Sequence, residues 1–183
     1  MVISVRSFLH ILSDAIATGR CQAMVIGGYA LEAYGFQRPT HDIDLLVTVR
    51  ETEAVQALLA QSGYLETGRN ELCARFAHSD PMLFPVDLLF VKDATWDKMW
   101  PVSEPATIEG ASLRVAAPAH TVALKLHAMR NDPAGRKNDF GDIVRVLIHR
   151  PDALTMEELK HLCARYAPEG IFERLLNAIR HER

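Results

Sequence analysis

The chain has 183 residues, a formal net charge of −3, 49% hydrophobic residues and 23% charged residues, which fits one globular domain, or one domain with a helical appendage. It lacks the basic excess of a general nucleic-acid binder, leaving room only for a local patch, and no apolar run approaches the roughly 20 residues of a membrane span. Cys21, Cys73 and Cys163 lie far apart without CxxC spacing, which argues against structural zinc and against a disulfide scaffold. Arg6 and His10 break up the N-terminal apolar residues, so there is no signal-peptide core, no membrane partner is expected, and a cytoplasmic protein is the expectation.

Taken in order, Val5, Phe8, Leu9, Leu12 and Ile16 fall on one face at helical period and predict a helix over 4–18, with Gly19 placed to end it. Residues 21–26 are short and apolar, the mark of a strand covered on both sides. Gly27-Gly28 then lead into a short helix over 29–34, and a loop through Pro39 leads to a second strand that opens with Asp42-Ile43-Asp44. Val55, Leu58 and Leu59 predict a helix over 51–62 that stops at Gly63. Strands are expected near 71–78 and 84–91, a short helix around Trp96, Met99 and Trp100, and a weak hairpin around Gly110. The tryptophans could stack on a base, although core or lid packing is the commoner use of such residues.

Pro118 suits the first turn of a helix reaching about Met129 on a Val122, Leu126 and Met129 stripe. Lys125 borders that stripe, so its stem can pack while its ammonium reaches beyond the helix. Phe140, Ile143, Val144, Leu147 and Ile148 mark a helix over 139–149. Thr155 and Glu158 have capping-box spacing ahead of a further helix, and a last helix carries Ile171, Phe172, Leu175, Leu176 and Ile179. The expected class is α/β (α+β): a small mixed sheet flanked by helices over residues 1–116, with a C-terminal helical bundle over 117–183.

Successive strand side chains alternate in direction, so Asp42 and Asp44 must share one face while Ile43 and Leu45 pack on the other. Paired carboxylates repel unless a cation lies between them. Oxygen ligands without a neighbouring Cys or His pair point to Mg2+ or Mn2+, ions that commonly bind one or two carboxylates together with substrate phosphate. Asp87 lies in an otherwise apolar strand, where an unpaired carboxylate would be costly; a metal shared with Asp42 and Asp44 is its expected partner. Gly27-Gly28, at a strand-to-helix junction, would let backbone amides approach an anion, though a glycine pair is often a tight turn and nothing more.

The pattern of Gly27-Gly28, thirteen residues, then Asp42-Ile43-Asp44-Leu45 resembles the signature of the nucleotidyltransferase fold shared by DNA polymerase beta and the aminoglycoside nucleotidyltransferases. In that family a third carboxylate comes from a neighbouring strand, and Asp87 matches it. Arg38, Thr40, Asp42 and Asp44 together are most similar to the AbiEii-type toxin branch, as are Lys125 and the GRKNDFGDI run over 135–143, with Lys137 and Asp139. The resemblance implies an enzyme that moves a nucleoside monophosphate from an NTP to a hydroxyl acceptor. It implies Asp42, Asp44 and Asp87 as catalytic and metal-binding residues, and Gly27, Gly28, Arg38, Thr40, Lys125, Lys137 and Asp139 as nucleotide-binding residues. The toxin branch implies tRNA or a protein as acceptor and an antitoxin protein as partner; the aminoglycoside branch implies a small polyol. An inactive nucleotide-binding or interaction module of the same fold is the remaining reading. Plainer roles stand beside these: Arg38 as a loop cation, Asp139 as an N-cap with Asp142 in the first turn, and His41 as a surface residue.

Overall fold

The computed structural model describes residues 7–36, 39–132 and 138–182; the expectations for Arg38 and Lys137 fall outside them. The chain forms two compact units, one of Met1–Ala33 with Arg38–Ala116 and one of Tyr34–Gln37 with Ala117–Arg183.

The first unit is a seven-stranded mixed sheet with helices. Its elements are α1 (Phe8–Ala17), β1 (Met24–Ile26), α2 (Gly27–Ala33), β2 (Ile43–Thr48), α3 (Thr52–Gln61), β3 (Leu65–Arg69), β4 (Cys73–Ala77), β5 (Val86–Val91), α4 (Asp93–Met99), β6 (Glu104–Ile108) and β7 (Ala111–Val115). The strand order is β3-β4-β5-β2-β1-β7-β6. β2 pairs with β5 and β1 with β7 in parallel, and the other neighbours are antiparallel. The central strands are the apolar ones: all of β1 is buried, as are Ile43 and Leu45 to Thr48 of β2. Phe8, Leu9 and Leu12 of α1 and Val55, Leu58 and Leu59 of α3 are buried. In α1, Ala15 is buried and Ile16 only partly so, a small shift of the predicted stripe.

Both helix stops follow from glycine. Gly19 and Gly63 have φ of 68° and 84°. In each case the glycine N–H donates to the carbonyl three residues back (Ile16, Ala60) and the next N–H to the carbonyl five back (Ala15, Leu59), which closes the helix end in a Schellman motif. The β6–β7 turn places Glu109 and Gly110 at φ of 49° and 83°, as a two-residue hairpin with a right-handed strand twist demands.

β3 was not among the expected strands. All five of its residues are exposed, so no apolar alternation marks it; it exists because β4 pairs with it, with a bulge between Glu66 and Gly68. This sheet edge is also closed over by charge, with Arg69 held 2.7 Å from Glu66.

The second unit is helical: α5 (Pro118–Asn131), α6 (Asp139–His149), α7 (Met156–Tyr166) and α8 (Ile171–Glu182). Thr155 and Glu158 make the expected reciprocal capping box. Val122, Leu126, Met129, Ile143, Val144, Leu147, Leu159, Ile171, Leu175 and Ile179 are buried. Tyr34 joins this unit through a 2.8 Å hydrogen bond between its hydroxyl and that of Thr121, and Phe36 sets its ring edge against His149 at 4.9 Å. Among the described residues no helix is long and apolar enough to cross a membrane.

Candidate active site

The parallel register of β2 and β5 puts Asp44 opposite Asp87. Asp42 lies just before the first residue of β2, in the bend that leads into it. The outcome is a partly buried cluster: Asp42, Asp44 and Asp87 each bring a carboxylate oxygen to within 4.8 Å of the others. Three hard oxygen donors over that span fit one or two divalent cations of the magnesium or manganese kind.

The glycine pair is explained by what stands against it. Gly27 has φ of 66°, and a Cβ built there would overlap the Asp44 carboxylate. At Gly28 a Cβ would overlap the Thr40 side chain. Thr40 in turn donates from Oγ1 to Asp42 Oδ1 at 3.2 Å. The space left by each glycine is therefore filled by the acidic segment, and Asp42 and Asp44 owe their approach to both.

Asp87 has a partner that its sequence neighbourhood does not show. Arg75 of β4 stands opposite it and donates from Nε to Oδ1 at 2.8 Å and from Nη2 to Oδ2 at 3.0 Å. The Asp87 side chain is 30% exposed. The expectation of a buried, otherwise unpaired Asp87 is thus corrected: its carboxylate is partly open to solvent and carries Arg75 as a partner. Asp87 first, and Asp42 and Asp44 more weakly, raise the affinity of Arg75 for its proton, so the guanidinium senses all three carboxylates. Sequence reasoning passed over Arg75; its one signal is alternation, since Ala74 and Phe76 are buried and Arg75 points the other way.

The acidic character continues beyond the cluster. The Tyr29 hydroxyl donates to Glu109 Oε1 at 2.6 Å. Burial, and then Glu109, push the Tyr29 pKa up, with Asp42 adding a smaller push. Partial desolvation also raises the Glu32 carboxyl, helped by Glu109.

In the second unit Lys125 and Asp139 are brought together, along with Asp142. Lys125 Nζ donates to Asp139 Oδ1 at 2.7 Å and to Asp142 Oδ2 at 2.8 Å. The three are 8%, 8% and 2% exposed, so the ammonium is enclosed between carboxylates and does not extend to solvent. Asp139 is the first helical residue, after Asn138, and makes no cap; its carboxylate serves Lys125. His41 is exposed, with its ring edge-on to Phe84. Trp96 is buried and stacks on Trp100 at 5.0 Å, over which Arg114 lies, so this aromatic pair is engaged in packing.

Residues 8–117 match the family described as aminoglycoside-2″-adenylyltransferase. Among solved structures, that of the antibiotic-resistance factor ANT(2″)-Ia in solution is similar, at 15% identity over 96% of this chain and 94% of that one, with a TM-score of 0.64. The crystal structure of ANT(2″)-Ia in complex with adenylyl-2″-tobramycin gives 16%, 94%, 94% and 0.54 for the same four quantities. The lincosamide antibiotic adenylyltransferase LnuA, with lincomycin bound, gives 13%, 76%, 96% and 0.54. At these identities what is shared is the fold. Sequence comparison with curated proteins gives no match.

Proposed function

Because the chain belongs to the aminoglycoside-2″-adenylyltransferase family, and is a nucleotidyltransferase, we propose that it moves a nucleoside monophosphate from an NTP to a hydroxyl of a small cationic polyol. The observation that carries this reading is the meeting of Asp42, Asp44 and Asp87 within 4.8 Å. Mg2+ or Mn2+ held by these three would neutralise triphosphate charge and lower the pKa of the acceptor hydroxyl.

The chain's own residues divide the remaining work. Thr40 fixes the Asp42 carboxylate by hydrogen bond, and Gly27 admits that of Asp44, so both are oriented before substrate arrives. Asp87, alone on its strand, takes the acceptor side and accepts or positions the hydroxyl proton. The acceptor oxygen bonds to the α-phosphorus as the bond to the β-phosphate oxygen breaks, and pyrophosphate leaves. Gly27 and Gly28 offer backbone amides to the phosphates. The motif resemblance adds Arg38 as a nucleotide contact, while Lys125 and Asp139 are taken up by each other and by Asp142.

Charge favours a cationic acceptor. Residues 1–116 carry 14 Asp and Glu against 9 Lys and Arg, and Glu32 and Glu109, both exposed, extend the acidic side chains of the same unit. An RNA acceptor would bring a second polyanion to that surface. The test is incubation with each labelled NTP and Mg2+ in the presence of an aminoglycoside panel, total cell RNA or cell protein. Label in the small molecule supports the proposal. Label in RNA or protein moves the acceptor to the AbiEii-type reading, with an antitoxin to be sought. No label anywhere leaves a nucleotide-binding module without transfer activity.

A further inference from the structure

Three carboxylates within 4.8 Å are an unfavourable assembly unless countercharge is present. Arg75 is such a countercharge for Asp87, and the manner of the pairing matters. The guanidinium takes both Asp87 oxygens in a fork, Nε on one and Nη2 on the other, the geometry that gives such pairs their direction as well as their strength. Arg75 reaches Asp87 because β4 and β5 place the two opposite each other, while β5 and β2 place Asp87 opposite Asp44. One row across three strands therefore reads Arg75, Asp87, Asp44. Every member projects from the same side of the sheet, with the cation at the outer end.

Arg75 differs from the other members in being more than half exposed, with 56% of its side chain in solvent. A guanidinium in that setting is held by its partner and not by packing, so it can leave Asp87 without opening the core. A bidentate arginine uses one acceptor direction on each carboxylate oxygen and leaves a second on each, so Asp87 keeps the capacity to bind a further cation. That cation would meet the positive charge of Arg75 beside it.

We propose that Arg75 is a built-in counter-cation of the carboxylate cluster: a positioning residue that aligns Asp87 and, by its charge, weakens divalent-ion binding at the Asp87 side until a substrate's phosphates offset it. This inference rests on the metal-site reading of Asp42, Asp44 and Asp87 given above. The reluctance falls on the side of the cluster that needs Asp87, where the guanidinium lies. Asp87 is thereby kept oriented and idle in the resting protein.

The experiment is Mn2+ titration of the full chain without nucleotide, followed by electron paramagnetic resonance. It compares the natural sequence with Arg75→Gln, Arg75→Lys and Asp44→Asn, each checked for folding by circular dichroism. Removing one unit charge next to a doubly charged ion in largely aqueous surroundings is expected to tighten Mn2+ binding about three- to tenfold in Arg75→Gln. Arg75→Lys keeps the charge and is expected to stay within about twofold of the natural affinity, which a role through packing alone would not predict. Unchanged or weaker Mn2+ binding in Arg75→Gln overturns the proposal. So does Arg75→Lys behaving like Arg75→Gln. Asp44→Asn reads the underlying assumption separately: if it binds Mn2+ as the natural chain does, the metal-site reading itself fails, whatever the Arg75 variants show.

Discussion

Asp44 of β2 and Asp87 of β5 are partners in parallel register, so two carboxylates far apart in sequence leave the sheet on one face. The pairing of Leu45 with Leu88, one step along, puts fully buried side chains on the opposite face. A slip of one residue between these strands would turn Asp87 into the core and Leu88 into the site. The apolar face therefore sets the geometry of the acidic one.

Asp44→Asn keeps shape and removes charge from the centre of the cluster. Loss of several kcal/mol of charge stabilisation corresponds to a fall in transfer rate of about a thousandfold or more. The folded state is expected to survive, because the substitution keeps the size and shape of the side chain. Steady-state kinetics beside a thermal melt checks both halves.

Gly27 and Gly19 offer a matched comparison, since their φ values are 66° and 68° but only Gly27 has a carboxylate where its Cβ would be. Gly19→Ala is expected to cost about 1–2 kcal/mol from the left-handed backbone alone and to leave Mn2+ affinity unchanged. Gly27→Ala adds displacement of Asp44, so it should lose at least about 1 kcal/mol more and most Mn2+ binding. Urea unfolding and metal titration on the two variants read the difference.

Lys125 is enclosed by Asp139 and Asp142. Lys125→Met would remove the ammonium that the two buried carboxylates share, leaving Asp142 with Arg145 at 3.9 Å, a loss of about 3–5 kcal/mol by the usual cost of breaking a buried pair. Equilibrium urea denaturation, monitored in the helical signal at 222 nm, measures it.

The cysteines should separate by burial. Cys21 and Cys163 are 3% and 6% exposed; burial first, with nearby Glu51 and Glu173, pushes their pKa up to about 11. Cys73 is only partly covered. Iodoacetamide at pH 8 is expected to modify Cys73 and spare the other two in the folded chain, as mass spectrometry of peptides would show. The same shifts bear on stability. A thiol that titrates at about 8.5 when unfolded and about 11 when folded favours the folded state fully below pH 8.5. That contribution is lost as pH rises towards 11.

Most of the fold could be read in the chain because its elements carry their own marks: stripes on the helices, glycine at Gly19 and Gly63, the capping residues at Thr155 and Glu158. The acidic cluster was legible for the same reason, since alternation fixes where Asp44 points and the apolar run around Asp87 marks a strand. What escaped was information held between segments. β3 has no apolar side to announce it and is ordered by β4. The Arg75–Asp87 pair depends on the register of β4 against β5, which no pattern within either strand encodes. Lys125 and Asp139 were each noticed, but their union with Asp142 is a matter of how two helices are turned, a relation that spacing along either helix leaves open.

The second unit is built from two separate stretches of chain, and Tyr34 and Phe36 belong to it through Thr121 and His149. Recombination at Ala116 would thus not exchange the C-terminal helices as a clean cassette: the incoming segment would have to supply new neighbours for two aromatic residues encoded upstream of Asp42. Novelty in the helical half is expected to arise through point substitution on its surface, and a gene fusion that swaps it whole should yield protein prone to aggregation unless residues 34–36 travel with it.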